Sequence, residues 1–399
     1  MTTSKHYPKI LTGLAILSTM LPMRVQANPG RDPFGMGHAV EPDIFNWHMS
    51  QMPPIKDFER MNPGKWEPLC ENIRTNLPAV TAIPLYAYHL TTNQWETLLP
   101  ALKENHTIQY LDMEYTGLQG DYADRLIDAV EGNPNLKGLS LANNALSAQN
   151  IKRIGSFLAE NKSLQSLMLG NDWWRIVYDS QDVSLEEIKP LTDALRKNNT
   201  LRVLDLDGLK MTPDAMAELF DALKENKSIQ ELALKRTGSD KKVFADLFAD
   251  YLASNPSLQA VDIWANELGP GSGAKIAKAL EKNTHLKELW ACHNSFNKKD
   301  YYALAEMLPK NKVLTRIHWD GEADESVGAA LAKGMLNNSS VIDPGFIDYQ
   351  KMNQRDIVNI KQAARFNQDH QGQDVTLKQW RETHTPNPRV IQDWERNPL

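Results

Sequence analysis

From Val80 onward the apolar positions repeat one spacing, L-x-x-L-x-L. Clear copies are Leu136-Leu139-Leu141, Leu164-Leu167-Leu169, Leu201-Leu204-Leu206, Leu258-Val261-Ile263, Leu286-Leu289-Ala291 and Leu314-Ile317-Trp319. Looser copies start at Val80, Ile108, Ile229 and Val341. Successive starts lie 28, 28, 28, 37, 28, 29, 28, 28 and 27 residues apart, and a nearly constant period of this size marks a solenoid. Within each copy, alternation predicts a short strand. Its fourth and sixth positions point into a core, and its third, fifth and seventh face the other way.

Two further registers keep the same frame. Apolar pairs stand ten and six residues before each start: Leu98/Leu102, Leu126/Val130, Ile154/Leu158, Leu191/Leu195, Leu219/Leu223, Phe248/Leu252, Ile276/Leu280, Leu304/Leu308 and Leu331/Met335. An i, i+4 apolar pair is the inward stripe of a helix. Three residues before each start stands an asparagine: Asn105, Asn133, Asn161, Asn198, Asn226, Asn255, Asn283, Asn311 and Asn338. Asparagine there suits a left-handed residue ending the helix. Each unit is therefore a strand, a turn, a helix and an asparagine-marked return.

The segment NELGPGSGAKIAKALEKNTHLKEL, Asn266–Leu289, resembles the leucine-rich repeat family, in its ribonuclease-inhibitor-like class with units near 28 residues. The resemblance covers residues 66–345. It implies an α/β solenoid, a horseshoe with parallel strands on the concave side and helices outside. The family's turn asparagine is kept at Asn144, Asn266 and Asn294 but replaced by Thr116, Asp172, Leu209, Thr237 and Glu322. Its hydrogen-bonded ladder is therefore expected to be incomplete.

Outside the repeats, residues 1–27 read as a secretory signal peptide. Lys5 and Lys9 precede an apolar stretch from Ile10 to Met23, and Val25-Gln26-Ala27 offers small residues for cleavage after Ala27. The apolar stretch falls short of the ~20 residues that span a bilayer; an uncleaved anchor or a buried helix is the other reading. Residues 28–65, rich in Pro, Gly and Met, form an N-terminal arm. Residues 346–399 form a C-terminal cap and polar tail, with the segment near 353–368 expected to close the solenoid as the helix near 66–76 does at the other end. The tail after 371 fits either a flexible segment or a strap along the last helix. The 37-residue unit carries an insertion near 173–182. Trp174 suits a core slot, while Trp173 and Tyr178 suit the rim.

The formal charge of −6 becomes −9 once residues 1–27 remove Lys5, Lys9 and Arg24 and no acid. An acidic chain without a basic run is a poor match for phosphate backbones, so no nucleic acid partner is expected. No later segment predicts a membrane span. The two cysteines, Cys70 and Cys292, cannot build a disulfide scaffold. Their places in the repeat frame put them too far apart to pair, so two free thiols are expected. A signal peptide on long-unit repeats without cysteine-rich caps implies, by the same family resemblance, a bacterial exported protein in the periplasm or outside the cell.

The sequence holds no H-E-x-x-H, G-x-S-x-G or Walker A motif. Gly269–Lys275 reads as the strand-to-helix turn of its repeat rather than a phosphate loop. The sequons at Asn105, Asn161, Asn198, Asn226, Asn337 and Asn338 fall mostly on the return asparagine, so the repeat itself generates them. No cofactor, metal or catalytic set is expected. Cys292, His293, His318 and Asp320 are the one grouping able in principle to hold a metal.

On the outward strand positions the middle units read as small and bland, and the later ones do not. Trp264, Trp290 and His318, ringed by Asp262, Glu288, Arg316 and Asp320 with His293 at the rim, form a binding hot spot. A second aromatic and acidic group gathers Tyr86, Tyr110, Asp112, Glu114 and Tyr115. The reading that follows is a non-enzymatic scaffold holding a protein partner on its concave face. Two alternatives remain: a periplasmic glycan or peptide receptor, and an enzyme with a site in the non-repeat ends near His370 and His384. Burial of the tryptophans under the C-terminal tail competes with all three.

Overall fold

The computed structural model describes residues 66–78, 80–85, 88–118, 120–144, 146–171, 182–238, 240–346 and 349–383. The expected signal peptide, the N-terminal arm, the end of the tail, and Tyr86, Trp173, Trp174, Tyr178 and His384 lie outside them. The chain divides into two units, one holding 66–146 with 160–169, the other 147–159 with 170–383.

The first unit runs α1 (Trp66–Arg74), β1 (Ala82–Pro84), α2 (Thr92–Lys103), β2 (Tyr110–Asp112), α3 (Tyr122–Val130), β3 (Gly138–Ser140) and β4 (Ser166–Met168). Its strands pair in parallel and in chain order, Leu111 standing opposite both Ile83 and Leu139. At the start, Trp66 Nε1 donates to Thr97 Oγ1 at 2.7 Å, tying α1 to α2.

The second unit contains α4 (Ala148–Glu160), α5 (Leu185–Lys197), β5 (Val203–Asp205), α6 (Pro213–Glu225), β6 (Glu231–Ala233), α7 (Lys241–Ser254) and β7 (Ala260–Asp262). It continues with α8 (Ser272–Leu280), β8 (Glu288–Trp290), α9 (Lys298–Met307), β9 (Arg316–Trp319), α10 (Glu325–Leu336), β10 (Asp343–Phe346), α11 (Gln354–Asp369) and α12 (Leu377–Thr383). Strands β5 to β10 again pair in parallel in chain order. Strands this short cannot hold together alone; the layers behind them do that. Leu204, Leu232, Val261, Leu289 and Ile317 are fully buried, as are the helical pairs from Leu191/Leu195 to Leu331/Met335. Truncating any one of these to alanine costs about 2–5 kcal/mol.

The return asparagines work differently from the expectation. Asn198, Asn226 and Asn255 have φ of −73°, −69° and −78° with extended ψ, not left-handed backbone. The chain must enter the next strand at once, so it extends, and the side chain does the capping. Asn226 Oδ1 accepts from the amides of Ser228 (2.8 Å) and Ile229 (2.9 Å), while Nδ2 donates to Leu195 O (2.7 Å) and Asn198 O (3.0 Å). Asn226 thus closes its own turn and grips the preceding repeat. The donor bond recurs from Asn255 to Leu223, Asn283 to Leu252, Asn311 to Leu280 and Asn338 to Leu308. Left-handed backbone falls instead at the eighth position of the repeat, at Tyr115, Asn143, Arg236, Ala265 and His293, with φ between 53° and 57°.

The turn-asparagine ladder is incomplete as expected. Asn144 Oδ1 accepts from the amides of Thr116, Gly117 and Leu118, and its Nδ2 reaches Met113 O. Asn266 and Asn294 make equivalent links. Thr116 and Thr237 only close their own turns, donating to Met113 O and Leu234 O. A one-atom hydroxyl cannot span to the preceding repeat. At the C-terminal end, α11 packs on α10, and Asn367 Nδ2 extends the return series by donating to Val341 O and Asn338 Oδ1.

Candidate functional site: the helix-free strand face of the second unit

The side chains of strand positions three, five and seven stand on the face away from the helices. On β5 to β7 this face is charged. Lys235 Nζ lies 3.2 Å from Asp207 and 3.4 Å from Asp262, and the Lys235 amide donates to Asp207 Oδ1 at 2.7 Å. Burial raises the Asp207 carboxyl to about 6; Lys235 pulls it down, and the charge of Asp262 adds to the rise. Asp262 Oδ1 in turn accepts the Trp264 amide at 2.9 Å.

Trp264 is partly exposed and held on two sides. The Arg236 guanidinium carbon sits 4.2 Å from its ring centroid, a cation–π contact. The His293 ring lies 4.7 Å away at 58°. Both neighbours come from the left-handed eighth position of flanking repeats, which turns their side chains back along the strand face. His293 is exposed, and its amide donates to Asp320 Oδ1 at 2.7 Å.

Trp290 and His318 form a second pair, stacked with centroids 6.0 Å apart and planes at 18°. Trp290 is only 7% exposed, so it is not the open aromatic the strand pattern suggests. It stands in register between Asp262 and His318. His318 lies over Gly345 of β10, where an added Cβ would meet Nδ1 at 2.4 Å. The glycine leaves room for the imidazole. His318 Nε2 lies 3.6 Å from Asp343, and that neighbour holds the Asp343 carboxyl below its usual range. Arg316 and Glu288 stand 3.5 Å apart beside this pair. The described tail does not cover it: α12 packs against α11, with Trp380 against Phe366 and Leu377 buried.

A scan for families finds none whose model matches the chain. The chain is similar to human NACHT, LRR and PYD domains-containing protein 13, 26% identical over 212 residues, covering 53% of this chain and 19% of that protein. It is also similar to mouse ribonuclease inhibitor, 25% identical over 212 residues, covering 53% and 44%. Among solved structures, the leucine-rich repeat-containing protein LegL7 from Legionella pneumophila matches at 20% identity and a TM-score of 0.45, over 79% of this chain and 97% of that one. The chain spans about a fifth of the first relatives it matches, 19% and 22%. The repeats are leucine-rich repeats of the ribonuclease-inhibitor-like class.

A leucine-rich-repeat scaffold of this kind points to protein binding. Two described turns that resemble ligand loops are occupied from within the fold. The amides at the N-terminus of α8, where a phosphate would sit, are taken by the fully buried Asp300, whose carboxylate accepts from Gly271 (3.0 Å) and Ala274 (2.8 Å). The Asp205-Leu206-Asp207 run spends its carboxylates on the Asp207 and Lys235 amides. Cys292, His293, His318 and Asp320 do not converge, and among the described residues no group of three or more such side chains could hold a metal ion. Cys70 and Cys292 are free and buried, and burial, with Asp320 and Asp262 nearby, pushes the Cys292 thiol up. His370, half-buried at the end of α11, stacks on Phe366 and bonds its carbonyl. No described helix is long and apolar enough to cross a membrane.

In the first unit the expected group is partly knit into the fold. Tyr110 lies over Gly138, where a Cβ would meet its ring at 2.7 Å. Tyr115 packs edge-on against His89, Asp112 is buried, and Glu114 accepts from Asn143. In the second unit the reading of bland middle repeats is corrected by Asp207, Lys235 and Arg236. The sequence signal was there, an Asp–Lys–Trp series at the seventh position of consecutive repeats. It required reading across repeats for charge pairs rather than along each one for aromatics.

Proposed function

We propose that this is an exported, non-enzymatic scaffold that holds a protein partner on the concave face of its second unit, centred on Trp264. The observation that carries the reading is the partly exposed indole fixed between Arg236 and His293. A large amphipathic ring held in place before binding loses little entropy on docking, which is the physics of a hot spot. Asp262, Glu288, Arg316 and Asp320 supply polar surroundings, with Trp290 and His318 as a packed floor.

On the strand positions of this face Asp205, Asp207, Glu231, Asp262, Glu288, Asp320 and Asp343 outnumber Lys235 and Arg316. A partner segment bearing Lys or Arg complements that balance. The pattern of residues 1–27 supports export, and the absence of cysteine-rich caps supports a bacterial source.

The experiment is affinity capture by residues 28–399, wild type against Trp264→Ala and Arg236→Ala, each confirmed folded by circular dichroism. One discrete protein retained by wild type and lost by both variants supports the reading. Equal retention removes Trp264 from the site. Retention of a glycan instead of any protein transfers the face to the receptor reading.

A further inference from the structure

A groove in the second unit lies at the N-terminal edge of its parallel strands, where the chain returns from each helix to the next strand. It holds about 310 Å³, at the small end of the ~300–1,000 Å³ usual for ligand pockets, which is room for one sugar-sized ring. Gln230, Gln259 and Lys287, the residues just before β6, β7 and β8, line it side by side. Thr284 and His285 come from the return after α8, and Pro256 and Val313 add apolar surface. Every one of these residues belongs to the second unit.

The chemistry of this groove is the reverse of the strand face. The chain carries 50 acidic against 44 basic residues, yet no Asp or Glu lines the groove. Lysines on the helices meet acids of the next repeat, as Lys241 meets Glu267 and Lys298 meets Asp324. Lys287 Nζ instead donates to a neutral atom, Gln259 Oε1, at 3.0 Å. An ammonium has three protons, so two stay available for a ligand. With its carbonyl oxygen on Lys287, the Gln259 carboxamide keeps its NH₂ to donate. Thr284 Oγ1 bonds His285 Nδ1 at 3.1 Å, which leaves Nε2 of that ring for another partner. Gln230 adds a further donor and acceptor.

We infer that this groove binds a uronic acid, a sugar whose ring carries a carboxylate. Lys287 meets the carboxylate in a charge-assisted hydrogen bond. The carboxamides of Gln230 and Gln259, with Thr284 and His285, take up the ring hydroxyls. Pro256 and Val313 cover the C–H surface of the ring. A phosphate is a poorer match, because it offers nothing to the apolar walls. Neither an arginine fork nor the amides of a helix N-terminus, the usual phosphate holders, lines the groove.

The groove is separate from the face assigned to a protein partner, and its test needs no partner, so either reading can fail alone. Binding to the full chain is followed by saturation-transfer difference NMR with methyl glucuronide. The comparison ligand is methyl glucoside, the same ring with a hydroxymethyl in place of the carboxylate. Wild type binds the glucuronide about tenfold more tightly than the glucoside. Lys287→Met, which keeps the stem and loses the charge, removes that preference, and Gln230→Ala weakens both sugars. Lys137→Met is the control. Lys137 makes the same bond to a glutamine, Gln109 Oε1, at 2.9 Å in the first unit, and its loss leaves binding unchanged. A chain of uronic acid residues that binds more tightly than the methyl glucuronide identifies a polysaccharide as the source, and equal binding identifies the free acid; both support the groove. No saturation transfer from the glucuronide, or equal affinity for the glucoside, overturns the assignment. So does a preference that survives Lys287→Met or falls in Lys137→Met, or tighter binding of inorganic phosphate in competition with the glucuronide.

Discussion

Asn226→Ala isolates the device that joins one repeat to the next. The side chain is 2% exposed and makes four hydrogen bonds to backbone, two accepted and two donated. Alanine strands the Ser228 and Ile229 amides without a partner. It also takes a donor from two carbonyls, one of which, Asn198 O, keeps the Ser228 hydroxyl at 3.3 Å. Counting the two amides in full, at about 1–3 kcal/mol per stranded group, and the carbonyls in part gives a loss of about 3–5 kcal/mol. Asn226→Asp separates the two halves of the role: it keeps the acceptor for both amides and removes the donors to Leu195 and Asn198. The assay is guanidinium denaturation followed by far-ultraviolet circular dichroism, with hydrogen exchange read at Ser228 and Ile229. In a repeat array the damage is local. Those amides should lose protection in Asn226→Ala and keep most of it in Asn226→Asp, while both variants unfold earlier. A loss below about 1 kcal/mol with both amides still protected would refute the bonding account.

Three other outcomes follow from particular contacts. Gly155→Ala places a Cβ 2.4 Å from the Leu191 amide nitrogen, backbone against backbone between α4 and α5; a destabilisation of about 1–3 kcal/mol is expected, read as a lower Tm. Glu218 is bonded by Arg196 at 2.6 Å and by Thr192 at 2.9 Å, and Arg196 holds its carboxyl below the usual range. A depressed acid stabilises above its unfolded pKa of about 4.3 and loses that contribution as pH falls through the folded value. Glu218→Gln should therefore cost about 1–2 kcal/mol at neutral pH in urea denaturation, and the gap should narrow towards pH 4. Native protein should show no reaction of either thiol with a disulfide reagent, because Cys70 and Cys292 are each 4% exposed, and both should react after denaturation.

Much of the fold was legible because the repeat multiplies every weak signal. One L-x-x-L-x-L is ambiguous; ten in frame, nine of them with apolar pairs and asparagines, leave one architecture. The capping geometry of the asparagines was not legible. Left-handed and extended returns both favour asparagine, and only the demand for an immediate strand separates them. The site was legible by position but not by exposure. Trp264 and Trp290 occupy neighbouring outward slots, yet Trp290 is covered because His318 lies flat over Gly345 beside it. That depends on a glycine two strands away. Lys235 was passed over among the middle repeats because its partners, Asp207 and Asp262, lie 28 and 27 residues distant in the chain.

The claim that Trp264 marks the binding face is tested most directly by placing a photo-crosslinking amino acid at that position in residues 28–399. A control carries it at Tyr302, exposed at 37% on the helical side. Illumination in the protein's native setting should join a discrete partner protein to position 264 and none to position 302. The same partner captured from 302 and never from 264 would contradict the account and move the binding face to the helices.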